Sequence, residues 1–248
     1  MITVVIEDKN IIGLDRIEIT DKADINHLKN SFRVKEGEVI RAVDGENEYI
    51  CKVLIVEKKE IILEIIETKK SEEDEVELVA GISIIKNDRM ELVIQKLTEI
   101  GIDRIIPLET KRTIVKLNET KDKWNVISKE AVKQCQRTKF LKIDKITKIN
   151  QIDYKEFDLV IVPYECEKEF NLKNLLRKIE NKPKKVLYII GPEGGFDISE
   201  IDYLKNLENV NIVTLGKNIL RAETAAIVVG GVLVNEFKWK SGFLYFGL

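Results

Sequence analysis

Residues 186–196 read VLYIIGPEGGF and residues 212–226 read IVTLGKNILRAETAA. Each opens on a short apolar run, turns at glycine and continues into a helical pattern. Gly-rich turns at the exits of buried strands are where open α/β sheets bind their ligands. The common phosphate motifs do not fit. GxGxxG fails because Pro192 and Glu193 follow Gly191, and a P-loop ending at Gly216-Lys217 fails at Asn211 and Asn218. Pro192 fixes φ and lacks an N–H, while Gly194 and Gly195 permit positive φ and close approach of a ligand to the backbone. Asp197 followed by Glu200 resembles a capping box, so a helix starts right after the turn. A tight turn without a ligand would use the same residues. The second run counts against that reading. There Arg221 and Glu223 stand at a strand exit beside Ala222, Thr224, Ala225 and Ala226, small residues that permit close packing against a cofactor or a partner helix. Charge complementarity at a helix N-terminus would also account for Glu223.

Outward from these turns, the rest of the chain divides by period. Val39–Val43, a turn at Asp44-Gly45, Tyr49–Val56 and Ile61–Ile66 predict strands of a small barrel or sheet in residues 1–70. The charged run Lys69–Glu77 is the natural linker, with 71–77 as its bounds and 78–248 as the second domain. Beyond it, Leu78–Ile85 predicts a buried strand. Asn87 or Asp88 can cap a helix whose apolar face is Met90, Val93, Ile94, Leu97 and Ile100, ending at Gly101. Arg104–Pro107 and Asp158–Pro163 read as strands. Lys121–Arg137, Phe170–Glu180 and Glu223–Phe237 read as helices. This alternation predicts a mainly parallel sheet covered on both faces.

Composition narrows the function. The chain has 248 residues, 44% hydrophobic and 34% charged, as expected of a globular protein with a sizeable core. No apolar run approaches the roughly 20 residues that span a bilayer, and the start MITVVIEDKN meets acid too early for a signal peptide. Cys51, Cys135 and Cys166 are three and widely spaced, which argues against a disulfide framework and a structural zinc site, and for a reduced cytoplasmic setting. The cysteines read as buried apolar residues. One histidine, His27, makes a Ser-His-Asp triad or a multi-histidine metal centre improbable, and it reads as a structural residue at a sheet edge. Net charge is −2, so nucleic-acid contact must come from local patches. Such patches exist: Lys133, Arg137, Lys139, Lys142 and Lys145 lie close together, Lys111, Arg112 and Lys116 form a second group, and Lys29, Arg33, Lys35 and Arg41 a third. A charged cluster of this kind is most often a solvated face.

Several separated motifs resemble the RsmE family of SPOUT methyltransferases, which methylate N3 of a uridine in small-subunit ribosomal RNA with S-adenosylmethionine. They are His27-Leu28 with Phe32-Arg33, Gly37, Asp44-Gly45, KNDRMELVIQKLTEIG at 86–101, Pro107, Arg112-Thr113, Glu130-Ala131 with Gln134 and Arg137, GPEGGF, and LGKNILRAETA. The match spans nearly the whole chain. It implies an N-terminal PUA-like β-barrel that holds RNA, a C-terminal α/β domain with a deep trefoil knot, and a homodimer that completes the active site. It also implies a cofactor pocket made by three loops: Pro163, Tyr164 and Glu165; Gly191, Pro192, Glu193, Gly194 and Gly195; Leu215, Gly216, Asn218, Ile219 and Leu220. The sequence departs from the family where Lys217-Asn218 replaces a frequent Pro-Arg, where Cys135-Gln136 replaces a frequent Ser-Gly, and at Leu141 in place of proline.

Methyl transfer from a sulfonium needs no metal; positioning, a dry pocket and charge management suffice. The uridine N3–H must lose its proton. A cation near the base carbonyls would stabilise the developing anion, with Arg221 the first candidate and Arg137 the second. Glu223 would accept the proton or orient Arg221. The phosphate contacts expected of Lys29, Arg33, Lys35, Arg41, Lys111, Arg112, Lys133, Lys139 and Lys142 would make affinity fall with salt. Two other readings compete: a non-catalytic RNA-binding or ribosome-assembly protein on the same scaffold, and a related methyltransferase acting on another RNA. Cofactor binding separates the first, and mapping of the methylated atom the second.

Overall fold

Buried apolar residues gather into three cores, one in a first unit and one on each face of the sheet of a second. In the computed structural model, which describes residues 1–239, the chain divides into two units. One comprises 1–73 with 129–140, the other 74–128 with the residues from 141 onward. The last part of the expected second domain, 240–248, lies outside the described residues.

The first unit contains Thr3–Val5 (β1), Ile11–Ile12 (β2), Arg16–Ile19 (β3), Lys22–Asn26 (α1), Val39–Val43 (β4), Asn47–Val56 (β5) and Ile61–Lys70 (β6). They form a six-stranded sheet in the order β1-β4-β5-β6-β3-β2, antiparallel except for the β1–β4 pair. Alternate residues such as Ile17, Ile19, Ile40, Ala42, Cys51, Val53, Ile61 and Leu63 make its core. The β4–β5 turn is held by Asp44, whose carboxylate accepts from the N–H of Glu46 and Asn47 at 2.8 and 2.6 Å and from the Tyr49 hydroxyl at 2.7 Å. Lys69 and Lys70, expected in the linker, extend β6 instead.

The second unit contains Glu77–Ser83 (β7), Asn87–Ile100 (α2), Arg104–Glu109 (β8), Asp122–Cys135 (α3), Lys142–Ile143 (β9), Thr147–Lys148 (β10), Leu159–Pro163 (β11), Leu172–Arg177 (α4), Lys185–Ile190 (β12), Ile198–Lys205 (α5), Val210–Val213 (β13) and Ala222–Phe237 (α6). Of α3, the residues from Lys129 onward count with the first unit. The sheet is wholly parallel, in the order β10-β8-β7-β12-β11-β13 with β9 also on β8. Both faces are buried, as the continuous apolar strands predict. Leu78, Ala80, Ile82, Ile161, Val186 and Tyr188 point to a core under α2, α4 and α6. Val79, Val160, Val162, Leu187 and Ile189 point to a core closed by α5, Phe157 and Phe196. Among the described residues no helix is long and apolar enough to cross a membrane.

Helix ends depart from expectation. Lys86, not Asn87 or Asp88, occupies the N-cap of α2 and makes no side-chain cap bond; Asn87 is already helical. Gly101 does end that helix, at φ 102. Helix α4 is shorter than expected because Asn171 caps it, its side chain accepting from the N–H of Asn174 at 2.9 Å. Helix α3 stops at Cys135, and Gln136 follows at φ 59, a left-handed conformation that glycine adopts freely and glutamine does not.

Candidate active site

Strands β11, β12 and β13 are neighbours in the sheet, so their carboxyl ends open side by side. The loops that leave them surround one cavity of about 510 Å³, within the range of small-molecule sites. Pro163, Tyr164 and Glu165 line it from the first loop, Gly191 to Gly195 from the second, and Leu215, Gly216, Asn218, Ile219 and Leu220 from the third. Every residue that the sequence assigns to the pocket therefore lies on one cavity wall. Arg221 lines it too, with Ala222 and Ala225 from the first turns of α6.

The second loop is the most constrained. Gly195 has φ 67, and a Cβ on it would run into the Glu165 carboxylate. The capping box at α5 forms as read: Asp197 accepts from the N–H of Ser199 at 3.2 Å, and Glu200 accepts from the N–H of Asp197 at 2.9 Å. Glu200 is buried and its other oxygen accepts from the N–H of Lys111 at 2.8 Å. Hydrogen bonds from Ser199, then the nearby Lys111, hold Asp197 below its ordinary value against the opposing effect of burial. Arg112 donates to the Gly194 carbonyl at 3.2 Å and lies 3.6 Å from Asp197. Lys111 and Arg112 thus brace the loop while remaining exposed. Tyr164 is held above its ordinary value by a hydrogen bond with Cys166, with burial adding to it.

The charged side chains sort differently from the sequence reading. Arg221 is exposed; its carbonyl accepts from the N–H of Ala225 at 2.8 Å, and its side chain has no hydrogen-bond or ion-pair partner among the described residues. Glu223 is 8% exposed and does not orient Arg221. Residues two apart on a helix do not face each other. Its Oε1 lies 3.7 Å from Nε of Arg89, and its Oε2 is buried with no hydrogen-bond partner. Arg89, in the first turn of α2, also lines the cavity and donates to Glu193 at 3.5 Å. Arg89 stands in the 86–101 motif, but its pairing with Glu193 and Glu223 could not be read from the sequence, because those partners are about a hundred or more positions away. Arg137 belongs to the first unit and is not among the residues lining this cavity.

Within the first unit, three of the expected RNA contacts, Arg41, Lys133 and Lys29, carry structural bonds. Arg41 is 5% exposed and donates to Glu48 at 3.0 Å and to Thr138 at 2.7 Å. Lys133 pairs with Asp24 at 2.7 Å and Glu130 at 2.8 Å. Burial would lower its pKa, but those two carboxylates outweigh it and raise it. Lys29 reaches the Glu57 carbonyl at 2.9 Å. Lys35 and Arg33 are exposed, Arg33 at φ 53. Lys139 is half-buried; in the second unit Lys142 is exposed, 3.5 Å from Asp144. His27 is exposed in the helical turn that follows α1 and meets Phe32 edge-on with ring centroids 4.7 Å apart. Of the cysteines only Cys51 is buried, where burial raises its thiol to about 12; Cys166 is exposed.

Comparison with known proteins supplies the remaining information. Residues 72–234 match the RNA methyltransferase domain family, and residues 19–66 match the RNA methyltransferase PUA domain. A ribosomal RNA small subunit methyltransferase E from Mesomycoplasma hyopneumoniae is 34% identical over 211 residues, covering 82% of this chain and 87% of its own. The protein of the same name from Bacillus subtilis is 29% identical over 216 residues, covering 82% and 84%. Among solved structures, a Legionella pneumophila protein described as a methyltransferase, in complex with the bound cofactor SAM, superposes with a TM-score of 0.79 at 28% identity. It covers 94% of this chain and 97% of its own.

Proposed function

This chain belongs to the RNA methyltransferase family, among the ribosomal RNA small subunit methyltransferases E, and on that premise we propose that it methylates N3 of a uridine in small-subunit ribosomal RNA using S-adenosylmethionine. The observation that carries the reading is the convergence of three separate loops on one cavity whose wall holds an unpartnered arginine. The residues suit this cofactor. Ile190, Leu215, Leu220, Ala222 and Ala225 offer apolar surface for a flat base. The glycine turns expose backbone polar groups, and Glu165 and Glu193 supply acceptors for hydroxyl and ammonium groups. When bound, the cofactor supplies an electrophilic methyl group on a sulfonium centre.

The chain's own residues then handle the proton and the charge. Arg221, exposed at the wall, stabilises negative charge developing on the base carbonyls. The N3 proton is assigned to Glu223, which follows Arg221 and Ala222 of the wall but is buried and not itself among the cavity-lining residues. Exposed Lys35, Arg33, Lys111, Arg112 and Lys142, with Lys29 and Lys139, contact RNA phosphates, and Arg41 and Lys133 stay with their structural partners. The family's trefoil knot, a homodimer that completes the site, the absence of a metal requirement and a cytoplasmic location belong to the same proposal.

The test is methylation of isolated small subunits and of naked small-subunit RNA with labelled cofactor, followed by mapping of the modified atom. Label on N3 of one uridine supports the reading. Label on a ribose or another base, or on transfer RNA alone, overturns the assigned atom or substrate. Cofactor binding with no transfer to any RNA would favour the non-catalytic reading.

A further inference from the structure

The first unit holds an aromatic pair on its surface. The helical turn His27–Ser31 follows α1 and is pinned by Leu28 and Val34, which are buried in the core of the six-stranded sheet. Arg33 reverses the chain at φ 53, and the N–H of Val34 returns to the Leu28 carbonyl at 3.0 Å. With those two side chains turned in, Phe32 is left 45% exposed and His27 is exposed beside it. The rings stand at 83° with centroids 4.7 Å apart. Of the four ring faces, such an edge-on contact covers one at most, so flat π surface stays open. A lone exposed ring would need no explanation, but a pair framed by cations does.

The charges around the pair fit one kind of occupant. Arg33 and Lys35 are exposed, and their side chains have no ion-pair partner among the described residues. Lys29, on the turn itself, reaches the Glu57 carbonyl at 2.9 Å. Glu36 and Glu38, the acids next in the sequence, accept from backbone donors, the N–H of Val56 at 3.4 Å and that of Lys35 at 3.3 Å. Cations beside an open aromatic face suit a base and the phosphates on either side of it. In a duplex the base faces are covered by their neighbours, so an unpaired nucleotide is what presents one.

We propose that His27 and Phe32 form a stacking platform for an unpaired nucleobase of the RNA, with Arg33 and Lys35 on its flanking phosphates. This rests on the reading of the chain as an enzyme of ribosomal RNA, and it adds that the RNA held by the first unit is single-stranded there. Phe32 supplies the face, and the His27 ring nitrogens can bond the base edge. Stacking tolerates every base, so the platform contributes affinity and orientation more than sequence choice.

The test is binding of the full chain to a labelled oligouridylate about 10 nucleotides long, and to a paired RNA duplex, by fluorescence anisotropy across a salt series. Phe32→Ala should weaken single-strand binding about 5- to 50-fold. Phe32→Leu keeps apolar bulk without a flat face and should lose most of the same affinity, whereas Phe32→Trp should stay within about 3-fold of the wild type. The slope of log affinity against log salt separates stacking from charge. It should be unchanged in Phe32→Ala and shallower by about 0.7 in Arg33→Ala, the share of one phosphate contact on a single strand. Duplex binding and S-adenosylhomocysteine affinity should not move with Phe32, and thermal midpoints check that each variant is folded.

Unchanged single-strand affinity in Phe32→Ala would overturn the proposal. So would full affinity in Phe32→Leu, which would make the contact apolar and not stacked, or a duplex that weakens in parallel. If Phe32→Ala alters sedimentation and leaves RNA binding intact, the ring meets a second copy of the chain and the platform falls. A wild type that binds no oligouridylate overturns it as well. The functional reading is judged separately, by mapping the methyl group on the wild-type product, and a failed platform leaves that result untouched.

Discussion

The two edges of the parallel sheet in the second unit are built on opposite principles. At the amino edge, charges are paired where the strands begin. Arg104, at the start of β8, meets Glu156 at 2.7 Å, Glu77 at 3.4 Å and Asp144 at 3.7 Å. Lys185, at the start of β12, meets Glu77 and Glu156 at 3.1 Å each. Asp158 accepts from the N–H groups of Lys184 and Lys185 at 2.7 and 2.9 Å. At the carboxyl edge the same strands open into glycine turns, a cavity, an unpartnered Arg221 and an unsatisfied oxygen of Glu223. One edge is laced by ion pairs and the other opens into a cavity, and each holds one buried side-chain atom without a hydrogen bond, Arg104 Nε and Glu223 Oε2. Unsatisfied groups persist where the surrounding structure is firm enough to hold them.

The largest expected effect breaks the open edge without touching the closed one. Arg221→Ala should lower turnover about 10²- to 10³-fold, the usual consequence of deleting one stabilising donor. Because Arg221 is exposed and unpartnered, the thermal midpoint should not move. Single-turnover kinetics beside a melt checks this. Near-normal turnover would remove Arg221 from the mechanism, and a lowered melt would give the open edge a structural task.

Next in size is Gly195→Ala. At φ 67 an alanine costs about 1–2 kcal/mol, and its Cβ also runs into Glu165. Analogue affinity should fall at least about 10-fold. Gly101→Ala is the matched control: its φ is 102, but nothing lies within 4 Å of the added carbon. It should lose comparable stability and keep analogue affinity. Equal losses of affinity in both would mean that strain alone, and not the Glu165 approach, governs the turn.

How far the sequence reads differs between these edges in the same way. The strands at 78–85, 104–107, 158–163 and 186–190 were legible because both their faces are buried and their apolar runs are continuous. The pocket loops were legible through the family resemblance of their motifs, since the glycine turns alone would equally serve a tight turn without a ligand. Arg89 was not, since its partners Glu193 and Glu223 are joined to it only by the fold. The two-residue strands β9 and β10 carry no period of their own, and parallel pairing with β8 defines them. The membership of 129–140 in the first unit is likewise a tertiary fact. Within one helical pattern, nothing marks the point where α3 passes from one unit to the other.

At the closed edge, Arg104→Met should break the comparison from the other side. It leaves Glu77, Asp144 and Glu156 facing one another with less cation among them. Breaking a fully buried pair costs roughly 3–5 kcal/mol, and the partial exposure of these carboxylates reduces that to about 2 kcal/mol. Urea midpoints report the loss. Analogue affinity of the folded fraction should be unchanged, because the cavity lies at the opposite edge. A parallel loss of affinity would show that the two edges are not independent.

The smallest effect concerns pH and uses the same network. Burial opposes ionisation of Glu156, but hydrogen bonds from Arg104 and Lys185 outweigh it and hold the carboxyl below its ordinary 4.5. Burial likewise works against Lys185, and Glu156 and Glu77 outweigh it, holding the ammonium above 10.5. A carboxyl lowered in the folded state contributes stability that is present above its unfolded value and is lost as pH falls through the folded one. An ammonium that is raised contributes stability that is present below its unfolded value and is lost as pH rises through the folded one. The network should therefore hold from about pH 5 to pH 10 and weaken on both sides. Glu156→Gln removes the acid limb of this one site, and the change should be below about 1 kcal/mol because the pair is partly exposed. Urea midpoints at pH 3.5 and pH 7 read it: the gap between them should narrow in the variant. An unchanged gap would place the acid sensitivity elsewhere, with Asp197 at the open edge the next group to replace, since its carboxyl is also held low.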